Sequence, residues 1–351
     1  AIQAFMQKKG IKNNHELQAY FNTRLLKILQ KHGKKMIGWD EILQPGLPKD
    51  IVIHSWRGTA ALAEAARKGY DGILSNGYYI DLIQPAAQHY VADPLPADST
   101  LTPEEAKHIL GGEATMWSEW VTPETIDSRI WPRTAAIAER LWSPRTVTDV
   151  NDMYRRLAVI SVQLEELGLT HKRNQEMLLR RLVRNEDIGP LRTLISVVEP
   201  VKEYRRYQVR PQTMLSPLTG AVDAATPDSE VAREFIWMVR EFLNDGPRYE
   251  LYRAELGDML AGWQTSGAAL GPVIDRSPAL KEVKPLAQNL SQLGATGLEA
   301  MSYLKLGMPP PRGWREASLA KVEEASKSYG ALEFVVIAGV RQLVNAAGEL
   351  K

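Results

Sequence analysis

Hydrophobic positions in the first 145 residues alternate between short apolar runs and longer stretches with helical spacing. Apolar side chains that recur every three or four residues predict an amphipathic helix over 15–29. Further helices are predicted over 58–68, closed by Gly69 as the C-cap, and over 130–141. Short β-branched or apolar runs predict four buried strands, at 35–39, 51–56, 72–76 and 109–117.

The order of these elements predicts parallel βα units. Four such units make half of an eightfold βα (TIM) barrel, and an open four-stranded βα layer is the alternative. The half-barrel is favoured because the strands end in tryptophan or in the Asn-Gly-Tyr-Tyr segment at 76–79. Barrel enzymes place their ligand contacts at these strand ends.

From about residue 146 the strand pattern disappears and helical spacing continues to the end of the chain. Helices are predicted over 150–167, 174–184, 229–244, 247–263, 280–307 and 315–348. We therefore predict a partial TIM barrel of about four βα units, its second half, over 1–168, followed by an all-α helical domain over 169–351.

Composition narrows the possible partners. Lys plus Arg is 43 and Asp plus Glu is 42, a net charge of +1 that gives no indication of nucleic-acid or anionic-membrane binding. The absence of cysteine excludes disulfides and thiolate metal sites. The first residues lack both signal-peptide features and an initiator Met, so we expect a processed chain or a fragment, and localisation stays open.

Tryptophan is concentrated in the barrel-like half, where six of the nine lie within the first 142 residues. Trp39, Trp56 and Trp117 fall at the carboxyl ends of predicted strands. Flat aromatic faces there suit the apolar faces of a pyranose ring, although tryptophan also buries much area in ordinary cores. Core packing would explain one such residue alone, but three at equivalent strand ends favour sugar binding.

Polar side chains near the strand ends are candidates for contacts with sugar hydroxyls. Tyr79 and Asp81 follow the third strand, and an extended loop would point both into a pocket, whereas a solvated loop is the alternative. Glu119 lies two residues after Trp117, where a carboxylate beside an aromatic platform can hold hydroxyls. We expect these three side chains and the three tryptophans to line one concave pocket.

The remaining acidic and histidine candidates are predicted to be structural. Asp40 and Glu41 directly follow the first strand, where acids suit a helix start, although a functional carboxylate pair is the alternative. Glu113 is expected inside the fourth strand, where a buried carboxylate needs a partner that Arg57, Arg133 or Arg140 could supply. His54 has no partners at metal-ligand spacing, and no metal or cofactor motif occurs in the sequence.

Five segments carry a family resemblance through their order and spacing over about residues 1–165. They are Gly-Trp-Asp-Glu-Ile-Leu at 38–43, His-Ser-Trp-Arg-Gly at 54–58, Ser-Asn-Gly-Tyr-Tyr-Ile-Asp-Leu at 75–82, Gly-Gly-Glu-Ala-Thr-Met-Trp-Ser-Glu at 111–119 and the stretch 133–144 ending in Ala-Glu-Arg-Leu-Trp-Ser-Pro. Together they resemble glycoside hydrolase family 20, the β-N-acetylhexosaminidases.

The resemblance implies a retaining exo-glycosidase that needs no cofactor and acts on N-acetylhexosamine-terminated glycans or chitin. In substrate-assisted catalysis the substrate's acetamido oxygen attacks the anomeric carbon, a Glu protonates the leaving oxygen, and the preceding Asp orients the acetamido group. By match to the motifs, the three strand-end tryptophans would wall the pocket and Tyr79 would hold the acetamido oxygen. Asp81 and Glu119 would bind the distal hydroxyls. A periplasmic or secreted location is also implied.

The sequence departs from the family at the catalytic pair. The Asp-Glu that ends the family's His-x-Gly-Gly-Asp-Glu strand does not occur in the 351 residues, and neither does the sugar-gripping arginine of the first barrel strand. Asp40-Glu41 matches a later Trp-Asp-Glu motif. We therefore expect the chain to begin just after the catalytic strand.

Three functional interpretations follow. The first is the C-terminal part of a β-N-acetylhexosaminidase, and the second is a non-catalytic carbohydrate-binding or assembly module that reuses the half-barrel. The third is a half-barrel enzyme with Asp40, Glu41 or Glu119 as its acid. A four-stranded parallel sheet leaves open edges, so we expect a homo-oligomer, association with an N-terminal half, or cover by the helical domain.

Overall fold

The computed structural model describes residues 1–184, 186–244 and 249–351, which form two compact units. The first unit comprises Ala1–Ile80, Ala86–Trp117 and Arg133–Ile160. The second comprises Asp81–Pro85, Ser118–Pro132 and Ser161–Lys351. The fold is mixed α/β and rich in helix, with a four-stranded sheet in the first unit.

The sheet of the first unit is parallel, with the strand order β1-β2-β3-β4. Its strands are Ile37–Trp39 (β1), Val52–Ser55 (β2), Gly72–Leu74 (β3) and Ile109–Gly112 (β4). The four predicted strands are confirmed, although each is shorter than predicted. Every residue of the inner strand β2 is buried. Because parallel strands end at the same edge, the segments that follow them begin close together.

The helices predicted in the first 167 residues are confirmed. The helices in this range are Ile2–Lys9 (α1), Asn14–Lys31 (α2), Thr59–Arg67 (α3), Ala86–Val91 (α4), Pro103–Ala106 (α5), Ile126–Ile130 (α6), Arg133–Trp142 (α7) and Val150–Glu166 (α8). The side chain of Asn13 caps α2 by accepting a hydrogen bond from the amide of Glu16 at 2.9 Å. Leu26 of α2 joins a core cluster with Met36 and Ile53. The short helix α1 was not predicted, and it buries no residue.

The second unit is built mainly from helices around the largest apolar core of the described residues. Its remaining helices are Arg173–Val183 (α9), Gly189–Ile195 (α10), Arg205–Val209 (α11), Ala221–Ala224 (α12), Glu230–Leu243 (α13), Tyr249–Arg276 (α14), Lys284–Leu306 (α15), Trp314–Ala325 (α16) and Ile337–Gly348 (α17). The predicted helix 247–263 corresponds to α14, and its first two residues lie outside the described ones. No helix in the described ranges is both long and apolar enough to cross a bilayer.

The prediction that this half is purely α-helical is wrong. Strands Val198–Pro200 (β5) and Leu332–Phe334 (β6) pair in antiparallel fashion. The predicted helix 315–348 is consequently divided into α16 and α17. The backbone reverses at Gly330 and Ala331, with φ of 58° and 62°. Three-residue strands are too short to show the alternation of apolar and polar residues that predicts a strand. Their apolar residues therefore fit the helical spacing of the neighbouring segments.

Candidate functional site

Stacked aromatic rings lie at the carboxyl ends of the strands in the first unit. Trp39 is the last residue of β1, and the strand register places it beside His54 of β2. The two rings stack with centroids 4.3 Å apart and planes inclined by 21°. The indole of Trp117, which follows β4, lies 6.5 Å from that of Trp39 at 29°. The structure therefore brings two of the three predicted tryptophans together.

The three strand-end tryptophans are not core residues. Trp39, Trp56 and Trp117 are 39%, 42% and 49% exposed. A tryptophan that only filled the core would be almost fully covered, as Trp263 of the second unit is. Exposure of this size leaves flat apolar surface available to a ligand.

Hydrogen bonds hold Trp56 in place. Its indole N–H donates to Oε1 of Glu41 at 2.9 Å, and the side-chain amide of Asn76 donates to its carbonyl at 3.2 Å. Glu41 is thus engaged with an aromatic residue of the candidate site. This contact fits a supporting role for Glu41 better than a catalytic one.

Asp40 directly follows the last residue of β1 and is buried. Its Oδ1 accepts a hydrogen bond from Nε of Arg57 at 2.8 Å. The hydroxyl of Ser55 lies 3.4 Å from Oδ2 and donates to the carbonyl of Gly58 at 2.8 Å. Burial raises the pKa of the Asp40 carboxyl, and the nearby Arg57 opposes this shift. The arrangement favours the structural interpretation of Asp40.

Replacing Asp40 by Asn should change the pH dependence of stability. A folded-state pKa above the unfolded value means that the contribution of Asp40 is complete below about pH 3.9 and is lost as the pH rises through the folded pKa. The stability advantage of wild type over Asp40→Asn should therefore shrink as the pH rises above about 4. Because Arg57 is half-exposed, we expect the free energies of unfolding of wild type and Asp40→Asn to differ by about 1 kcal/mol or less at pH 7. Urea unfolding at several pH values measures this difference, and an advantage that grows with pH would contradict the assignment.

Tyr79 lies where the segments after β3 and β4 meet. It forms a parallel bridge with Thr115, and the amide of Ile80 donates to the carbonyl of Thr115 at 2.9 Å. The Tyr79 side chain is partly buried, and the hydroxyl of Ser75 lies 3.4 Å from its phenol oxygen. Backbone pairing beyond the strands thus fixes the position of this phenol.

Asp81 and Glu119 belong to segments of the second unit. Asp81 is buried within the short 3₁₀ helix Ile80–Leu82. The side chain of Glu119 is exposed. The predicted pocket that unites these carboxylates with the three tryptophans stays a prediction.

The expectation for Glu113 is wrong, because its side chain is exposed rather than buried. Strand β4 ends at Gly112, one residue earlier than the prediction needs, and the β3–β4 register is irregular. Arg57, which the prediction offered as a possible partner, pairs with Asp40 instead.

Comparison with known proteins identifies the first part of the chain. Residues 1–145 match the family model described as "Glycosyl hydrolase family 20, catalytic domain". This part of the chain is similar to the family 20 catalytic domain. A β-hexosaminidase of Porphyromonas gingivalis is 37% identical over 187 residues, covering 48% of this chain and 24% of that protein. The β-hexosaminidase subunit beta of Rattus norvegicus is 35% identical over 181 residues, covering 48% and 33%.

A solved family 20 structure resembles both units. The chitobiase of Flavobacterium johnsoniae has a TM-score of 0.88 and 38% identity, and the match covers 98% of this chain and 52% of that one. The chain therefore spans about half of the chitobiase and a quarter to a third of the curated relatives. The helical unit, which the sequence alone could not connect with the family, shares this likeness.

The sequence did not predict which residues contact the candidate site residues. The sequence assigns His54 only a position within a strand and no ligand role. Its stacking on Trp39 could have been found by aligning the ends of the first two predicted strands. The contacts of Ser75 with Tyr79 and of Arg57 with Asp40 depend on loop geometry that the sequence does not reveal.

Proposed function

We propose that this chain is part of a retaining exo-β-N-acetylhexosaminidase that hydrolyses terminal non-reducing N-acetylhexosamine with help from the substrate's own acetamido group. The observation that carries the proposal is the aromatic stack at the strand ends, in which the exposed Trp39 contacts the buried His54 and the exposed Trp117. This stack lies in the part of the chain that matches the family 20 catalytic domain. The hexosaminidase and chitobiase names of the relatives support the same substrate class.

The chemistry that we propose assigns each candidate residue a role. The strand-end tryptophans cover the apolar faces of the sugar and its acetamido methyl group. Tyr79 hydrogen-bonds the acetamido oxygen and keeps it near the anomeric carbon, so that formation of the oxazolinium ring needs little reorganisation. Asp81 and Glu119 bind the distal hydroxyls, which favours cleavage from the non-reducing end.

The finer architecture belongs to the same proposal. Residues 1–168 form the second half of an eightfold barrel, and 169–351 form a helical domain with one small two-stranded sheet. Strands β1 and β4 are the edges of the parallel sheet, and Ile37 and Leu110 on them are exposed. These edges support pairing with another segment or copy of the protein, because open edges of parallel sheets are normally covered.

A second candidate is a non-catalytic module that binds N-acetylhexosamine. It is favoured by one observation, that His-x-Gly-Gly-Asp-Glu does not occur in the 351 residues. Both candidates require sugar binding, and only the first requires hydrolysis by the assembled enzyme.

Removing one member of the aromatic stack should weaken ligand binding. We expect Trp117→Ala to lower the affinity for a thiazoline that mimics the oxazolinium intermediate by about tenfold, since a lost aromatic platform costs roughly 1–2 kcal/mol. Titration calorimetry with the thiazoline measures the effect.

Trp142→Ala is the matched control for that substitution. Trp142 lies in the same unit and is 92% exposed, so its loss removes an indole without disturbing packing. Its affinity should equal that of wild type. Equal losses in both variants, or no binding by wild type, would contradict the proposed site.

A further inference from the structure

Two segments that carry proposed sugar contacts pack within the second, helical unit. Segments Asp81–Pro85 and Ser118–Pro132 follow the third and fourth parallel strands in sequence, yet their contacts place them in the second unit. They carry Asp81 and Glu119, the two carboxylates proposed to bind distal sugar hydroxyls. Residues of the helical unit that contact these segments therefore act on the two carboxylates proposed to bind the sugar.

The first loop is fixed by Glu203. The amide of Glu203 donates to the carbonyl of Leu82 at 2.9 Å, and the side-chain amide of Gln84 donates to Oε1 of Glu203 at 3.2 Å. Ile83 and Glu203 have φ of 62° and 57°, and the Ile83 side chain is buried. A β-branched residue adopts such a backbone only where its surroundings impose it. The conformation of this loop thus depends on its contact with Glu203.

The second loop is anchored through Trp120, the neighbour of Glu119. The guanidinium of Arg206 lies 4.4 Å from the centroid of the Trp120 ring, and the ring of Tyr207 also lies 4.4 Å from it. Arg206 is fully buried and pairs with the buried Asp223 at 2.7 Å. The planar guanidinium can stack on the indole and bond to the carboxylate at the same time.

Further contacts secure the same loop beyond Trp120. Nη1 of Arg129 donates to the carbonyl of Ala225 at 2.8 Å, and Nη2 donates to that of Asp223 at 3.0 Å. Oδ2 of Asp127 accepts hydrogen bonds from the amide and the hydroxyl of Thr170 at 2.8 and 2.9 Å. Burial lowers the pKa of Arg129 to about 10, so its charge is retained near neutral pH. The loop is therefore fixed at both ends within the helical unit.

We propose that residues 203–207 of the helical unit position the segments Asp81–Pro85 and Ser118–Pro132. Glu203 positions Asp81, and Arg206 positions Glu119 through Trp120. This inference rests on the proposed function, because it takes Asp81 and Glu119 as contacts for the distal hydroxyls. It gives the helical unit a role in substrate selection. Displacement of a contact group by about 1 Å is enough to impair recognition.

The test compares two ligands, methyl β-N-acetylglucosaminide and its 4,6-dideoxy analogue. Wild type should bind the parent about tenfold more tightly than the analogue, since the analogue lacks the hydroxyls that bond to carboxylates. Arg206→Lys keeps a positive charge beside Asp223 but loses the planar group on Trp120. It should reduce the preference to about threefold or less while leaving the affinity for the analogue unchanged.

Three further variants make the test specific. Glu119→Gln should reduce the preference similarly, and the double variant Glu119→Gln/Arg206→Lys should show no additional loss, as expected for residues that act together. Tyr207→Ala removes an exposed ring that contacts Trp120. It replaces Arg206→Lys in the test if that variant fails to fold. Arg192→Lys is the matched control, because Arg192 pairs with Glu176 and contacts neither segment. It should keep the wild-type preference.

The outcomes separate the inference from the proposed function. The positioning role alone would be overturned if Arg206→Lys and Tyr207→Ala kept the wild-type preference for the parent glycoside over the dideoxy analogue while Glu119→Gln lost it. An equal loss of affinity for both ligands in folded Arg206→Lys would overturn it as well. No binding of either ligand by wild type would overturn the proposed function and this inference together.

Discussion

Purified as it stands, the 351-residue chain should release nitrophenol from aryl β-N-acetylglucosaminides poorly or not at all. The resemblance to family 20 implies that the general acid is the Glu of His-x-Gly-Gly-Asp-Glu, and this motif does not occur in the 351 residues. General-acid assistance contributes about 10²–10⁴-fold to the rate. Loss of the neighbouring Asp, which orients the acetamido nucleophile, should compound the defect. Nitrophenol release by the purified chain measures this directly, and affinity for the thiazoline should survive better than turnover, because binding alone does not accelerate the step.

Two sets of variants decide what any residual turnover means. Glu119→Gln tests whether the exposed Glu119 acts as an acid, and Asp40→Asn/Glu41→Gln tests the only adjacent Asp-Glu of the first unit. Because Arg57 pairs with Asp40 and Trp56 donates to Glu41, we expect neither carboxylate to protonate a leaving group. Robust wild-type turnover would contradict the prediction, and the variant that abolishes it would identify the acid.

Long periodic elements were predictable from sequence, and short ones were not. Helix α2 has 18 residues, long enough for its apolar spacing alone to predict it. The strands of the parallel sheet were recognisable because they are buried apolar runs between helices. Strands β5 and β6 have three residues each, and their pairing joins positions more than 100 residues apart in the chain. Such a contact is decided by tertiary packing, which no local pattern contains.

The candidate site was predictable only where residue type alone carries the chemistry. Tryptophans after successive strands can be recognised as a sugar-binding pattern without coordinates. The burial of Asp40 and the exposure of Glu113 could not be predicted from the sequence, because each depends on the exact residue at which a strand ends. The anchoring of Trp120 by Arg206 was equally hidden, since it joins a loop to a helix about 85 residues later.

Gly294→Ala should destabilise the helical unit by about 3 kcal/mol, near the upper end of the usual cost of overpacking. A Cβ at Gly294 of α15 would lie 2.4 Å from the carbonyl oxygen of Leu260 and 2.6 Å from the amide nitrogen of Gln264. Both atoms belong to the backbone of α14, so no side-chain rotation can relieve the clash and the two helices must separate. Urea unfolding followed by circular dichroism measures the loss.

Gly262→Ala on α14 is the matched control, since a Cβ there meets nothing within 4 Å. The same substitution should stabilise the protein slightly, by up to about 1 kcal/mol, because alanine favours the helix and restricts the unfolded chain. If the free energy of unfolding falls in Gly294→Ala and rises in Gly262→Ala, close backbone approach rather than helix propensity sets the cost at Gly294. Similar effects at both positions would mean that α14 and α15 do not approach each other as closely as their glycines allow. Gly267 of α14 makes the reciprocal approach, 2.5 Å from the carbonyl oxygen of Ala287, so Gly267→Ala should behave like Gly294→Ala.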